Sequence, residues 1–263
     1  MFLESFMYSI TPCSHLARRM GFLRETISIM SRYNRCKKDW SNHLINSRKT
    51  ILEAAQKCPG GTSAVIFGAG LGYDVPLGEL LDRFSEVVLV DLVHTVPMRI
   101  ASLKNKRLKL LRHDVTESLD NFFRGDLSIN DPHRFLNDRS ADLVVSLNLL
   151  SQLPTLPLRY LEKVYSVSED QLELIAQQLI EIHLDYLRKF SGTVCLIADL
   201  EREIVGRDYG LIGKFSALYD IKFPWVGKNW IWNIAPFGEE DPSYLVRNKV
   251  VGIPDLMAAA EVR

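Results

Sequence analysis

Five short apolar runs, AVIFG, EVVLVD, LKLLRHD, ADLVVSLN and TVCLIAD, recur between Ala64 and Asp199, each parted from the next by turn residues or helix-spaced stretches. Within each run the apolar residues are consecutive rather than alternating, the pattern of a strand covered on both faces. Strands that alternate with helices join by right-handed crossovers into a parallel sheet. The chain is therefore expected to be an α/β protein with a Rossmann-like, doubly wound, mostly parallel sheet.

The flanks add to this frame. Leu16, Met20, Leu23, Ile27 and Met30 recur at steps of four and three, the period of an amphipathic helix. A second helix is expected in DWSNHLINSRKTILEAAQKCPGG, with Leu44, Ile51, Leu52 and Ala55 inward and Pro59-Gly60-Gly61 as its stop. Residues 1–60 thus read as a helical unit and 61–263 as the α/β domain. A further helix is expected from about Glu169 to Phe190, opened by Ser168 with Gln171 as a capping box and closed by Gly192, with Leu172, Ile175, Leu179, His183 and Tyr186 on its apolar face. Past residue 220, KNWIWNIAPF and SYLVRNKVVGI flank the turn-forming GEEDP and read as an antiparallel hairpin at the sheet edge. Arg124–Ser140 is the most polar interval and reads as a surface loop or short helix.

The 32 basic and 32 acidic residues cancel, so no global field favours nucleic acid or an anionic membrane. The most apolar segment, ADLVVSLNLLSQLPTLPL, is broken by Asn148, Gln152, Pro154 and Pro157, too polar for a membrane span. Cys13, Cys36, Cys58 and Cys195 form no CxxC pair and no Cys/His cluster at metal spacing. With Glu4 inside the first apolar run and no basic residue ahead of it, a secretory leader is not expected. The expectation is a cytoplasmic protein without a metal site, acting on a small molecule; oligomeric state stays open.

Ligands of open α/β sheets bind where strands hand over to helices at their carboxyl ends. Here the first such corner reads Gly68-Ala69-Gly70-Leu71-Gly72. Glycines there allow positive φ and close approach of a ligand to the backbone, although a tight connection that binds nothing has the same composition. Asp91 ends the second strand, where a carboxylate can accept both hydroxyls of a ribose. The spacing is GxGxG rather than the GxGxxG of dinucleotide binding, with Tyr73 at the third-glycine position.

From about Asp39 to Gly252 the order GAGLG, VVLVDL, RHDVTE, ADLVVSLNLLSQLP and closing hairpin resembles the class I S-adenosylmethionine-dependent methyltransferases. That resemblance implies a seven-stranded sheet with an antiparallel C-terminal hairpin, N-terminal helices acting as a lid, and S-adenosylmethionine as cofactor. It implies that Gly68, Gly70 and Gly72 pass under the methionine part, that Asp91 with Leu92 binds the ribose, and that Asp114 accepts from the adenine amine beside Val115. It further implies that Asn148 and the residues up to Gln152 line the transfer site. Two departures stand out: Ile66 replaces an acidic residue two places before the first glycine, and Asn148 is followed by Leu149-Leu150-Ser151 rather than a (D/N)PPY signature. Asp74 can stand in for the first, or can cap the next helix with Pro76 in its first turn.

Other candidates carry two readings each. Trp40, His43 and Ser47 share one helical face and serve either as substrate contacts or as core and surface. His183 reads as a core histidine; His94 and His113, beside strand ends, as ligand contacts. After Asp199, Glu201, Arg202, Arg207 and Asp208 belong either to the substrate side of the cleft or to a solvated helix start. Trp225, Trp230 and Trp232, with Phe223 and Phe237, either pack the hairpin or stack on a flat substrate. The function expected is methyl transfer to a small molecule, the alternatives being an inactive binding or scaffold protein, a nicotinamide-dependent reductase and an aminopropyl transferase.

Overall fold

The computed structural model describes residues 2–137 and 141–261, so three residues of the polar interval ending at Ser140 lie outside the description. Helices α1 (Phe2–Ile10) and α2 (His15–Arg19) precede α3 (Phe22–Lys57). The periodic stretch from Leu16 to Met30 is not one helix, because Gly21 takes φ +94° and stops α2. Conversely, the two helices expected on either side of Asp39 are joined in α3, which bends at Cys36 (φ −103°, ψ 18°) without stopping.

Strands β1 (Ser63–Phe67), β2 (Glu86–Asp91), β3 (Leu108–Arg112), β4 (Ala141–Leu147) and β5 (Thr193–Gly206) pair in parallel. They are joined by α4 (Leu77–Arg83), α5 (Val96–Lys104), α6 (Leu119–Phe123), α7 (Thr155–Tyr165) and α8 (Glu169–Arg188). Then follow β6 (Leu211–Ser216), β7 (Lys228–Ala235) and β8 (Tyr244–Ile253). The order is β3-β2-β1-β4-β5-β8-β7, with β6 paired separately to β5. β5 meets both β6 and β8 antiparallel, and β7 meets β8 antiparallel.

Among the described residues the sheet has eight strands rather than seven, and the stretch after Asp199 is strand, not a helix start. A bulge between Asp199 and Glu201 lets β5 run on to Gly206, where a turn returns the chain as β6. The capping box at Ser168 also takes another form: its hydroxyl meets Gln171 Oε1 at 3.2 Å and no backbone N–H. α8 ends on Lys189 in the right-handed region, so Gly192 is not its stop. Gly192 is small for a different reason, since a Cβ there would lie 2.2 Å from the Ala141 carbonyl.

The sheet is covered on both sides. Ala64, Ile66, Leu89 and Val145 pack with Ile51, Ala54 and Ala55 of α3 and Leu80 of α4. Val65, Phe67 and Val144 pack with Ile180, Leu184 and Leu187 of α8. The C-terminal half of α3 therefore shares one core with the sheet, and its N-terminal half is held above the carboxyl ends of the strands. Among the described residues no helix is long and apolar enough to cross a membrane. All four cysteines are free.

Candidate functional site

β1 lies between β2 and β4, so the chain leaves it toward one side of the sheet and later resumes on the other. At such a switch point the two crossovers diverge and leave a crevice at the strand ends. A cavity of about 480 Å³ opens there, floored by the sheet and roofed by Phe22, Thr26 and Ile29 of α3. Tyr33 of α3 stacks on Tyr73 at 3.9 Å, and Arg48 donates to the Tyr73 carbonyl, so the roof is fastened to the glycine turn.

Eleven of the twelve residues singled out for the cofactor and substrate line this cavity: Gly68, Gly70, Asp74, Asp91, Leu92, Asp114, Val115, Asn148, Trp40, His43 and Gln152. Gly72 does not. It turns the chain at φ +71°, and a Cβ there would meet the Met98 side chain at 2.5 Å, so its need is for packing beside α5. Gly68 has φ +72° and a Cβ would lie 2.8 Å from the Leu147 carbonyl; at Gly70, φ +49°, a Cβ would find only the Gly68 carbonyl, at 3.8 Å. The turn thus presents bare backbone to open space.

The two acidic residues expected at this end are held by backbone N–H groups. Asp91 Oδ2 accepts from Gly70 N at 2.8 Å and Oδ1 from Val93 N at 3.3 Å. Burial raises its carboxyl above the usual range, opposed first by the Gly70 N–H. Asp114 is fully engaged: Oδ1 accepts from Thr116 N and Oγ1 at 2.9 and 2.7 Å, Oδ2 from Ser118 N and Leu119 N at 2.9 and 2.8 Å. Its roughly four lone-pair sites are taken, so the amine-accepting role expected of the side chain meets a carboxylate committed to its own loop. His113 lines the cavity, whereas His94 lies outside its lining, with Nε2 against the Leu111 carbonyl at 3.1 Å.

Farther along the crevice the polar groups are less well matched. Asn148, at φ +50° just after β4, places its amide 2.9 Å from Asp74 Oδ2 and 3.2 Å from His43 Nε2. Asp74 therefore does not cap α4, whose N-cap is Pro76. His43 is no surface residue: it is 1% exposed, stacked on Trp232 at 4.0 Å, and its Nδ1 accepts from Trp230 Nε1 at 3.1 Å. An indole N–H only donates, so Nδ1 is the lone-pair nitrogen and the hydrogen of the neutral ring sits on Nε2. Burial lowers this histidine to about 3, so it stays neutral and acts as a donor, not a base.

Burial also raises Asp74, to about 6. With Asp74 ionised, the Asn148 amide nitrogen donates to it and leaves His43 Nε2–H without an acceptor. With Asp74 protonated, the amide turned over accepts from both.

Three further residues close this end. Asp199, 4% exposed, accepts from Ser151 Oγ at 3.1 Å through Oδ2, and burial raises it to about 6, opposed by the Ser151 hydroxyl and the neighbouring Asn248 side chain. Asn248 and Trp232 stand opposite each other on β8 and β7. Asp199 Oδ1, Asn248 Oδ1, Trp232 Nε1 and Asn148 Oδ1 are buried without a partner. Asn248 was missed in the sequence, although a lone Asn on the face it shares with Val246 and Val250 in an otherwise apolar period-two run is a detectable signal.

Of the four residues considered after Asp199, only Arg202 lines the cavity. Glu201 pairs with Lys214 and Lys249, while Arg207 and Asp208 hold the β5–β6 turn region. Ile66 is buried in the core outside the cavity lining. His183, bonded to Ser146 Oγ at 3.0 Å and lowered to about 4 by burial, is a core histidine. Among the described residues no group of three His, Cys, Asp or Glu side chains is arranged to hold a metal ion.

No protein family matches the chain, and no curated protein does. Among solved structures, the N-methyltransferase NodS from Bradyrhizobium japonicum WM9, in complex with S-adenosyl-L-homocysteine, is similar at 11% identity over 84% of this chain and 98% of that one, with a TM-score of 0.33. The 1,6-didemethyltoxoflavin-N1-methyltransferase from Burkholderia thailandensis, with bound 1,6-didemethyltoxoflavin and S-adenosylhomocysteine, is similar at 12% identity over 96% of this chain and 92% of that one, with a TM-score of 0.38. At that level neither neighbour transfers a ligand or a reaction to this chain.

Proposed function

We propose that this chain binds S-adenosylmethionine and transfers its methyl group to a small-molecule acceptor. The observation that carries the reading is the opening of a bare glycine turn and the Asp91 carboxylate, at adjacent strand ends, onto one cavity at the switch point. The residues fit the cofactor in kind. Gly68 and Gly70 leave backbone uncovered for a close ligand, and Asp91 retains lone pairs for ribose hydroxyls beyond its two N–H donors. Leu92 and Val115 offer apolar contact beside it, and Asp114 acts by holding the loop of Val115 and Thr116 in place. Asp74 supplies, at the amino-acid end, the carboxyl that Ile66 does not.

When bound, the cofactor supplies a methyl group already activated on a sulfonium. The chain then has to align the acceptor and keep water out, and proximity and orientation account for most of such a rate. The helical prefix, 1–60, serves as the lid through α3, with 61–263 as the domain it covers. The Asn148 amide, packed between Asp74 Oδ2 and His43 Nε2, holds the Asp74 carboxyl in place, and a proton leaving the acceptor has Asp199 or Asp74 as its base. Four cysteines far apart in the sequence and a balanced net charge fit the expected cytoplasmic setting and a small-molecule acceptor.

Isothermal titration calorimetry with S-adenosylmethionine, S-adenosylhomocysteine and NAD tests this reading on wild type and Asp91→Ala. Binding of the two sulfur ligands, absence of NAD binding, and loss in Asp91→Ala of about a hundredfold in affinity, roughly the contribution of two charge-assisted hydrogen bonds, is the expected result. Failure of wild type to bind either sulfur ligand overturns the proposal.

A further inference from the structure

The wall farthest from the glycine turn is one rung of the antiparallel part of the sheet. Phe215 of β6 opposes Arg202 of β5, Arg202 opposes Asn248 of β8, and Asn248 opposes Trp232 of β7. Directly opposed residues of an antiparallel sheet project from the same face, and all four line the cavity. Asp199 lies one step along the same wall, beside Ser151.

Buried polar groups in folded proteins are hydrogen-bonded in the great majority of cases. Here Asp199 Oδ1 and Asn248 Oδ1, two acceptors, and Trp232 Nε1, one donor, are buried without partners on neighbouring positions. The charges complement this. The cationic side chains of the lining, Arg32 and Arg202, are engaged by Glu239 and Glu240 at 3.3 to 3.7 Å. Asp74, Asp91 and Asp199 have no Lys or Arg ion-pair partner among the described residues, and His43 beside Asp74 is held neutral. The interior is short of N–H donors and of positive charge, and its wall is aromatic.

We propose that the methyl acceptor is a flat nitrogen base bound in its neutral form, an amidine- or guanidine-like ring, whose N–H groups donate to Asp199 Oδ1 and Asn248 Oδ1 and whose unprotonated ring nitrogen accepts from Trp232 Nε1. On transfer, the nitrogen whose N–H faces Asp199 forms the N–CH3 bond as the sulfonium C–S bond breaks, and its proton passes to the Asp199 carboxylate. The assignment rests on the methyl-transfer reading for calling this molecule the acceptor; its binding chemistry rests on the wall alone. An anionic or purely hydrogen-bond-accepting molecule would leave both buried acceptors unpaired, which specific sites penalise heavily.

The test is calorimetric, in the presence of saturating S-adenosylhomocysteine, with three flat probes of similar size: 2-aminobenzimidazole, 2-naphthol and 2-naphthoate. The expected result is that 2-aminobenzimidazole binds at least about tenfold more tightly than either naphthalene, and that Asp199→Asn and Asn248→Leu each weaken it about tenfold, the loss of one hydrogen bond to a buried group. Unchanged S-adenosylhomocysteine affinity and a melting temperature no lower than that of wild type in each variant show that the fold and the cofactor end are intact. Equal or tighter binding of 2-naphthol or 2-naphthoate, no binding of 2-aminobenzimidazole to wild type, or an unaltered affinity in both variants overturns the proposal. Failure of S-adenosylhomocysteine to bind while 2-aminobenzimidazole still binds would overturn the methyl-transfer reading and leave the wall's chemistry standing.

Discussion

At the glycine-turn end of the cavity, Asp114 accepts four hydrogen bonds from its own loop and Asp91 two from backbone N–H groups. At the far end, Asp199 and Asn248 each keep an oxygen buried and unpaired, and Asp74 shares one amide with a histidine. The first end is braced by these bonds and holds its shape without a ligand. The second stores unmet hydrogen-bonding capacity, a state that a cognate ligand relieves and that costs the free protein stability. Removing the Asp114 carboxyl should therefore have the opposite sign from removing a carboxyl at the far end.

The largest effect is expected at Asp114. Asp114→Ala strips acceptors from three backbone N–H groups and one hydroxyl, at about 1 kcal/mol each, and should destabilise the protein by about 3–4 kcal/mol. Urea unfolding followed by circular dichroism measures it; a change under about 1 kcal/mol would mean that the loop is not held this way.

Asp199→Asn and Asp74→Asn should do the reverse. Both carboxyls are raised to about 6 from an ordinary 3.8, with burial as the main cause. A group raised in the folded state contributes stability that is fully present below its unfolded value and is lost as pH rises through the folded one. The wild type should thus lose stability between about pH 4 and 6, by no more than about 3 kcal/mol per carboxyl. Each Asn variant removes its share of that slope and should be more stable than wild type near neutrality, by about 1–3 kcal/mol. Melting temperatures measured across that range decide it, and a variant that melts below wild type at neutral pH contradicts the assignment.

Asn248→Leu is expected to be milder still. Replacing a buried amide whose oxygen lacks a partner, but whose other end faces the Asp199 carboxyl, by an apolar side chain of similar size should change stability by no more than about 1 kcal/mol in either direction. A loss of more than about 2 kcal/mol in urea unfolding would show that the amide is satisfied in solution.

The two ends also differ in how legible they are in the sequence. Gly68, Gly70, Asp91 and Leu92 fall within one strand-turn-helix-strand segment whose order alone places them at neighbouring strand ends. The sheet core was legible for the same reason, since a consecutive apolar run marks a doubly covered strand. The far end draws on positions 43, 74, 148, 199, 232 and 248, which meet only through the register of β5, β8 and β7 and the descent of α3 across them. No local spacing encodes that meeting. The continuation of β5 past Asp199 was hidden because LEREIVG carries charges, the buried Glu203 among them, that pair across strands with Lys214, Arg247 and Lys249, so its polarity resembles a solvated helix start.

The smallest signal sharpens the comparison at a single ring. Trp230 Nε1 can only donate, so His43 should be the neutral tautomer with its hydrogen on Nε2 at every pH above about 4. Nitrogen chemical shifts of the ring should accordingly show Nδ1 as the unprotonated nitrogen. The ring itself will not titrate near pH 6, yet Nε2–H should report the titration of Asp74, because the Asn148 amide can accept from it only while Asp74 holds a proton. The Nε2 resonance is therefore expected to move with a midpoint near 6 in wild type and to stay fixed in Asp74→Asn. A midpoint that persists in Asp74→Asn would place the titration on another group. Protonation on Nδ1 would instead break the indole contact and return His43 to the role of a base, making the far end as self-sufficient as the glycine turn.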